Sequence, residues 1–188
     1  MKTPILETPR LILRPITLED APSIQKHFNN WNIIKNLAAA VPWPYPDDGA
    51  YTHIYNDLLP EIKAGNSHAW VIVIKTQGLD AVGIIHFRFQ DKKKQGNRGF
   101  WIAEKYHGQG LMTEAISAVN DFVFDELKID SFTVMNAFSN VASRRVKEKT
   151  GAIYVGLQDS PHHNGDKQSE VWEVTKESWR HQKKKRTE

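Results

Sequence analysis

Two glycines two residues apart, Gly108 and Gly110 in YHGQGLMTEAI (Tyr106–Ile116), stand between an apolar run, GFWIA (Gly99–Ala103), and a segment of helical periodicity. Glycine lets the backbone come close to a ligand. The first turn of a helix leaves N–H groups unpaired, at the positive end of the helix dipole. Together these make a backbone able to hold a phosphate group without side chains. A Walker A loop needs G-x-x-x-x-G-K-[ST], which the chain does not supply. The dinucleotide fingerprint G-x-G-x-x-G fits at Gly108 and Gly110, with Asp130 twenty residues beyond Gly110, but Thr113 stands where the third glycine belongs. The chain ahead of it also lacks the alternating β-α-β halves of that fold.

An acyl-CoA pyrophosphate site follows the pattern [Q/R]-x-x-G-x-[G/A], which runs here as His107, Gly108, Gln109, Gly110, Leu111, Met112. Gly110 matches strictly, and His107 and Met112 depart. A tight turn that caps a helix is the bland alternative. Further along, Asn140 and Ser143 in NVAS lie one helical turn apart, a spacing that suits capping as well as chemistry. His162 and His163 with Asp166 do not have the spacing of a metal site and read as a turn, so no metal is expected. The chain has no cysteine, which rules out disulfides, thiolate ligands and a cysteine nucleophile.

The elements that must carry these residues follow from hydrophobic period. RLILRP (Arg10–Pro15) is a short strand, and TLEDA (Thr17–Ala21) has a capping-box-like start for a helix through Ile24 and Phe28. VPWPYPDD (Val41–Asp48) is a rigid loop. A helix from Gly49 to Ala64 is expected to bend or end early at Pro60. AWVIVIK (Ala69–Lys75) and AVGIIHFRFQ (Ala81–Gln90) form a hairpin, and RGFWIA makes a third strand after the polar turn DKKKQGN. A helix from Leu111 to Leu127, the strand SFTVMNA (Ser131–Ala137), a short helix in NVASRRVKEKTG ending at Gly151, and the strands AIYVGLQD and EVWEVT complete the chain. The result is an antiparallel meander running into one strand–helix–strand crossover, an α+β arrangement.

The 188 residues, 40% hydrophobic and 25% charged, are enough for one soluble domain with a real core, read as residues 1–182. No apolar run nears the ~20 residues of a membrane span. The N-terminal stretch lacks the apolar core and cleavage site of a signal peptide, so a cytoplasmic location is expected. The tail KKKRTE, 183–188, carries net +3, the same as the whole chain, so the remainder is neutral. The basic balance therefore points to a solvated, disordered end rather than to a nucleic-acid surface.

ETPRLILRPITLEDA, GFWIAEKYHGQGLMTEA and NAFSNVASRRVKEKTGA, in this order and spacing, resemble the GCN5-related N-acetyltransferases, in particular their RimJ/RimL branch, over about Leu6 to Trp179. One departure is Ala152, where that family usually has phenylalanine. The resemblance implies a largely antiparallel sheet of six to seven strands with helices on both faces. Its fourth and fifth strands, RGFWIA and SFTVMNA, would splay around the pantetheine of acetyl-CoA. It implies cofactor contacts at Phe100, Trp101, Ile102, His107, Gly108, Gln109, Gly110, Leu111, Met112, Thr113, Asn140 and Ser143. It also implies direct acetyl transfer to an amine, on a protein N-terminus or a small molecule, by a monomer or homodimer. Ser143 is then the partner of the leaving thiolate, a backbone N–H near Ile102 the oxyanion donor, and Glu170 the first choice of base, with Asp166 or Glu173 able to take its place and Glu104 and His86 as further candidates. A non-catalytic acyl-CoA-binding regulator and a ribosome- or nucleic-acid-associated module using the lysine tail are the competing readings.

Overall fold

The computed structural model describes residues 2–90 and 95–185. Its strands are β1 (Leu6–Glu7), β2 (Leu11–Pro15), β3 (Ser67–Ile74), β4 (Gly83–Gln90), β5 (Gln95–Ile102), β6 (Ser131–Ala137), β7 (Ile153–Asp159) and β8 (Gln168–Thr175). They form one sheet in the order β1-β2-β3-β4-β5-β6-β8-β7. Every pairing is antiparallel except that of β5 with β6. The eighth strand, beyond the expected count, is the two-residue β1, too short to leave a periodic signal. The polar turn expected after Gln90 falls largely on residues 91–94, outside the described residues.

The helices are α1 (Ala21–Phe28), α2 (Trp31–Ile34), α3 (Gly49–His53), α4 (Leu59–Lys63), α5 (Leu111–Asp125), α6 (Val141–Lys149) and α7 (Lys176–Lys185). Side chains alternate across a strand, so β3 serves two cores at once. Trp70 and Ile72 meet α5 residues such as Ile116 and Val119 together with Trp179 of α7. Ala69, Val71 and Val73 meet Ile24 of α1 and Ala50 of α3. All eight residues of β3 are buried, and the apolar run from Ala69 to Ile74 follows from being covered on both faces.

Pro60 does not end its helix. A π-helical stretch, Ile54–Leu58, joins α3 to α4 directly. The wider turn makes room for a ring that has no N–H to give and would crowd the carbonyl four residues back. The short α2 and the terminal α7 carry no strong periodicity and were not expected. The last turn of α7 includes Lys183 to Lys185 of the basic stretch, and Lys183 bonds Asp121 of α5 at 2.8 Å, so part of that stretch is ordered; residues 186–188 lie outside the described residues. No helix among the described residues is long and apolar enough to cross a membrane.

The feature that positions the site is the parting of β5 and β6. They pair only at Gln95–Asn97 with Ser131–Thr133. Beyond that point β5 stays on β4 up to Ile102, while β6 stays on β8 up to Ala137. The two strands therefore splay, as the resemblance implies.

Candidate active site

The glycine stretch forms the turn that leads into α5. Gly108 and Gly110 both have φ of 75°, in the left-handed region, and Gly110 is the residue from which α5 starts. A Cβ on Gly110 would come no closer than 3.7 Å to a neighbour, so glycine is needed for its backbone angle rather than for space. Gly110 has no side chain to cap the helix, and the first intrahelical bond is from Glu114 N–H to the Gly110 carbonyl at 3.0 Å. The amides of Gly108, Gln109, Gly110, Leu111, Met112 and Thr113 make no hydrogen bond among the described residues. Leu111 and Met112 point their side chains into the core, which explains how a bulky residue fits the last motif position.

His107 departs from the expected donor role. Its amide is committed to the Glu104 carbonyl at 2.9 Å, and its ring Nε2 donates to the Ile102 carbonyl at 2.9 Å. A carbonyl only accepts, which fixes the tautomer with hydrogen on Nε2. The side chain thus braces the end of β5 against the turn.

A clamp that sequence reading did not find holds this turn from the N-terminal segment. Glu114 of α5 accepts from Thr8 Oγ1 at 2.6 Å, from the Arg10 amide at 2.9 Å and from Arg10 Nε at 2.6 Å. Arg10 Nη1 also donates to the Gln109 carbonyl at 3.0 Å. These partners are about a hundred residues apart, so no local pattern announces them. They give the co-occurrence of ETPRL and LMTEA a physical reason.

A cavity of about 610 Å³ opens on the turn and runs along the end of β5 to the start of α6. Phe100, Trp101, Ile102, His107, Gly108, Gly110, Leu111, Met112, Thr113, Asn140 and Ser143 line it, as does Glu104. It therefore brings together all the expected contact residues except Gln109, whose side chain bonds the Lys105 carbonyl instead. Ala103 N–H bonds the Val82 carbonyl at 2.7 Å, and antiparallel alternation then turns the backbone of Trp101 toward β4 and that of Phe100 and Ile102 toward the gap. The ring of Trp101 packs on Phe28, with centroids 4.9 Å apart. Arg145 and Lys149 of α6 also line the cavity and bring positive charge to it.

Opposite the turn, Asn140 caps α6: its side chain accepts from the Ser143 amide at 3.0 Å. Ser143 Oγ accepts from Lys147 Nζ at 2.7 Å. On a short helix as charged as this one, cations are ordinarily solvated. Lys147 is instead fully buried, and Arg144 is drawn into an ion pair with Glu170 at 2.6 Å.

The candidate bases separate by place. Glu104 lines the cavity and accepts from Asn30 at 2.7 Å and Asn32 at 2.9 Å, at the start of α2. The Asn30 bond is the largest influence holding its carboxyl below the usual range. Glu170 is buried on β8 and does not line the cavity. Burial pushes its pKa up, but the bonds from Arg144 and Asn136 outweigh this and hold it ionised and occupied. His86 is buried beside Glu61, and burial pushes it down to about 3, so it is neutral near pH 7. Asp166 bonds Ser139 and Asn164, shaping the turn that contains His162 and His163. Trp31 and Trp43 are exposed and pack on each other at 5.1 Å, next to the asparagines that hold Glu104. Neither lines the cavity. Among the described residues, no three histidine or acidic side chains gather to hold a metal.

A splayed sheet beside an uncapped helix start is the arrangement that the resemblance implied. The sequence profile described as acetyltransferase (GNAT) domain matches residues 10–153, and the chain belongs to that family. It is similar to two Bacillus subtilis (strain 168) proteins. YdaF, which carries a ribosomal N-acetyltransferase name, is 32% identical over 68 residues, 36% of this chain and 37% of YdaF. YjcK, which carries an N-acetyltransferase name, is 36% identical over 59 residues, 31% of this chain and 33% of YjcK. The chain thus spans about a third of the length of these curated relatives. Among solved structures, the Vibrio fischeri ribosomal-protein-S5-alanine acetyltransferase superposes with a TM-score of 0.80 at 16% identity, over 94% of this chain and 98% of that one. Mycobacterium smegmatis RimJ, in complex with CoA-disulfide, gives 0.79 at 18%, over 93% and 87%. RimL, the ribosomal L7/L12 α-N-protein acetyltransferase in complex with coenzyme A, gives 0.77 at 17%, over 92% and 98%. At these identities the likeness is one of fold.

Proposed function

We propose that the chain is a cytoplasmic acetyl-CoA-dependent N-acetyltransferase that moves the acetyl group directly from the thioester to a primary amine. The observation that carries this is the run of amides, Gly108 to Thr113, that make no hydrogen bond among the described residues, beside a cavity that runs along the end of β5 to the start of α6. The amides and the dipole of α5 suit a pyrophosphate. Arg145 and Lys149 suit the remaining phosphate charge, and the gap edge of Phe100 and Ile102 suits the amides of pantetheine.

Three tasks fall to residues of this cavity. Glu104, ionised and exposed, takes the proton of the incoming amine, directly or through water. The amide of Phe100 or Ile102, facing the gap, steadies the oxyanion of the tetrahedral intermediate. Ser143, on the opposite wall, gives a proton to the departing sulfur. Glu170 is left out of this assignment because Arg144 and Asn136 already hold its carboxylate. The neighbours named for ribosomal proteins make a protein N-terminal α-amine the first acceptor to try, with small amines beside it.

Calorimetric titration with acetyl-CoA, followed by thiol release over a panel of N-terminal peptides and small amines, tests the reading. Micromolar binding and turnover with at least one amine are expected. Absence of binding sinks the proposal. Binding without turnover over a broad panel leaves a regulator of the same fold.

A further inference from the structure

Ser143 Oγ has one hydrogen-bond partner among the described residues, Lys147 Nζ, one turn further along α6. A lysine whose role is packing normally lays its stem along the surface and keeps its ammonium in water. Lys147 does the reverse: it is wholly buried and carries its ammonium inward to the back of the cavity-lining hydroxyl. The ring of Phe100, also at the cavity, lies 5.3 Å from Nζ. The charged groups that face Nζ are two. Arg98 of β5 is buried, bonds Asn120 of α5, lies 5.0 Å from the Phe132 ring centroid and leaves Nε and Nη2 unpaired. Glu170 of β8 is held by Arg144 and Asn136. Two cations therefore share a low-dielectric space without a carboxylate of their own, an arrangement whose cost falls when one of them gives up its charge. Burial first, and Arg98 second, push Lys147 well below the ordinary lysine range against the opposing pull of Glu170.

We propose that Lys147 is the positioning and proton-supplying partner of Ser143, replacing the proton that Ser143 gives to the departing sulfur. The inference rests on the acetyl-transfer reading above. As the C–S bond breaks, its electron pair goes to sulfur. The Ser143 proton moves to sulfur, and a Lys147 ammonium proton moves to Oγ. The products of the step are the free thiol, an intact serine hydroxyl and a neutral amine at Lys147. The proton released by the attacking amine, returned through the cavity and the Ser143 hydroxyl, restores the ammonium and closes the balance. The step relieves the repulsion between Lys147 and Arg98, which gives it direction.

The protonated form of Lys147 is the working one, so kcat should fall as pH rises through its lowered pKa, below the roughly 10.4 of a free lysine. Lys147→Met keeps the apolar stem and removes the charge. It should lose that alkaline limb and about 10²-fold in kcat at neutral pH, with the acetyl-CoA Kd unchanged. Ser143→Ala should lose the same limb, and the double variant should be no slower than Ser143→Ala alone. Wild-type kcat and pH profile in Lys147→Met, or losses that multiply in the double variant, overturn the relay while leaving the transferase reading intact. If Lys147→Met does not fold, the Ser143→Ala profile decides: an alkaline limb retained there overturns the relay. A wild-type protein that binds no acetyl-CoA, or that turns over no amine, overturns both readings together.

Discussion

Two helices begin at the same cavity and begin differently. The start of α5 is made of backbone: Gly110 in the left-handed region, no cap, and amides left open from Gly108 to Thr113. The start of α6 is closed by a side chain: Asn140 takes the Ser143 amide, and the Arg144 amide is taken by the Asn140 carbonyl. Both ends have the same intrinsic dipole and the same orphan donors. The uncapped one leaves more of its amides open to an anion. The capped one instead fixes the direction in which Ser143 presents its hydroxyl. On the proposed function one end binds and the other holds a reacting group, with a single residue at each start, Gly110 or Asn140, setting the difference.

If that division holds, damage at α6 should appear in turnover and damage at α5 in binding. The largest effect is expected from Ser143→Ala, about 10²-fold in kcat by loss of a proton donor, with calorimetry giving an unchanged acetyl-CoA Kd. A raised Kd with normal kcat would make Ser143 a binding residue and erase the contrast. Next is Gly110→Val. Forcing a side chain into the left-handed region costs roughly 1–2 kcal/mol, and if the turn relaxes to avoid it the amides lose their aim. The acetyl-CoA Kd should rise about tenfold, the equivalent of ~1.4 kcal/mol. Gly110→Asn, which tolerates this region better, should rise less. Two variants that bind acetyl-CoA as the wild type does would show that the open amides serve something else.

The same contrast explains what the sequence could and could not disclose. Gly108, Gly110 and the Asn140–Ser143 spacing are local signals, because a turn and a cap are made within a few residues. The β-meander and the crossover helix were legible for the same reason, through period and turn residues. The Glu114–Arg10–Thr8 clamp was not, since its parts meet only after the sheet has formed. Nor was the burial of Lys147, which sits in a helix of mostly charged residues and reads there as solvated. Glu170 misleads in the opposite sense: its place on the last sequence-predicted strand is right, but Arg144, approaching from α6, occupies its carboxylate. Long-range partners decide which charged residues are free to act, and a linear pattern does not contain them.

The smallest effect probes the cap directly. Asn140→Ala removes the acceptor for the Ser143 amide and should cost about 1 kcal/mol of stability, the usual value of a lost N-cap. It would appear as a lowered urea midpoint with an unchanged slope. Asn140→Ser supplies another capping oxygen and should recover most of that loss. Under the division drawn here, both variants bind acetyl-CoA like the wild type, and kcat falls only in Asn140→Ala, because an uncapped first turn lets Ser143 wander. Asn140 also lines the cavity, which makes the pair of variants informative. If Asn140→Ser restores stability but leaves acetyl-CoA binding weak, the asparagine touches the ligand as well as the helix. The two helix ends would then share the work of binding, and the cap would be one surface of the site rather than only its support.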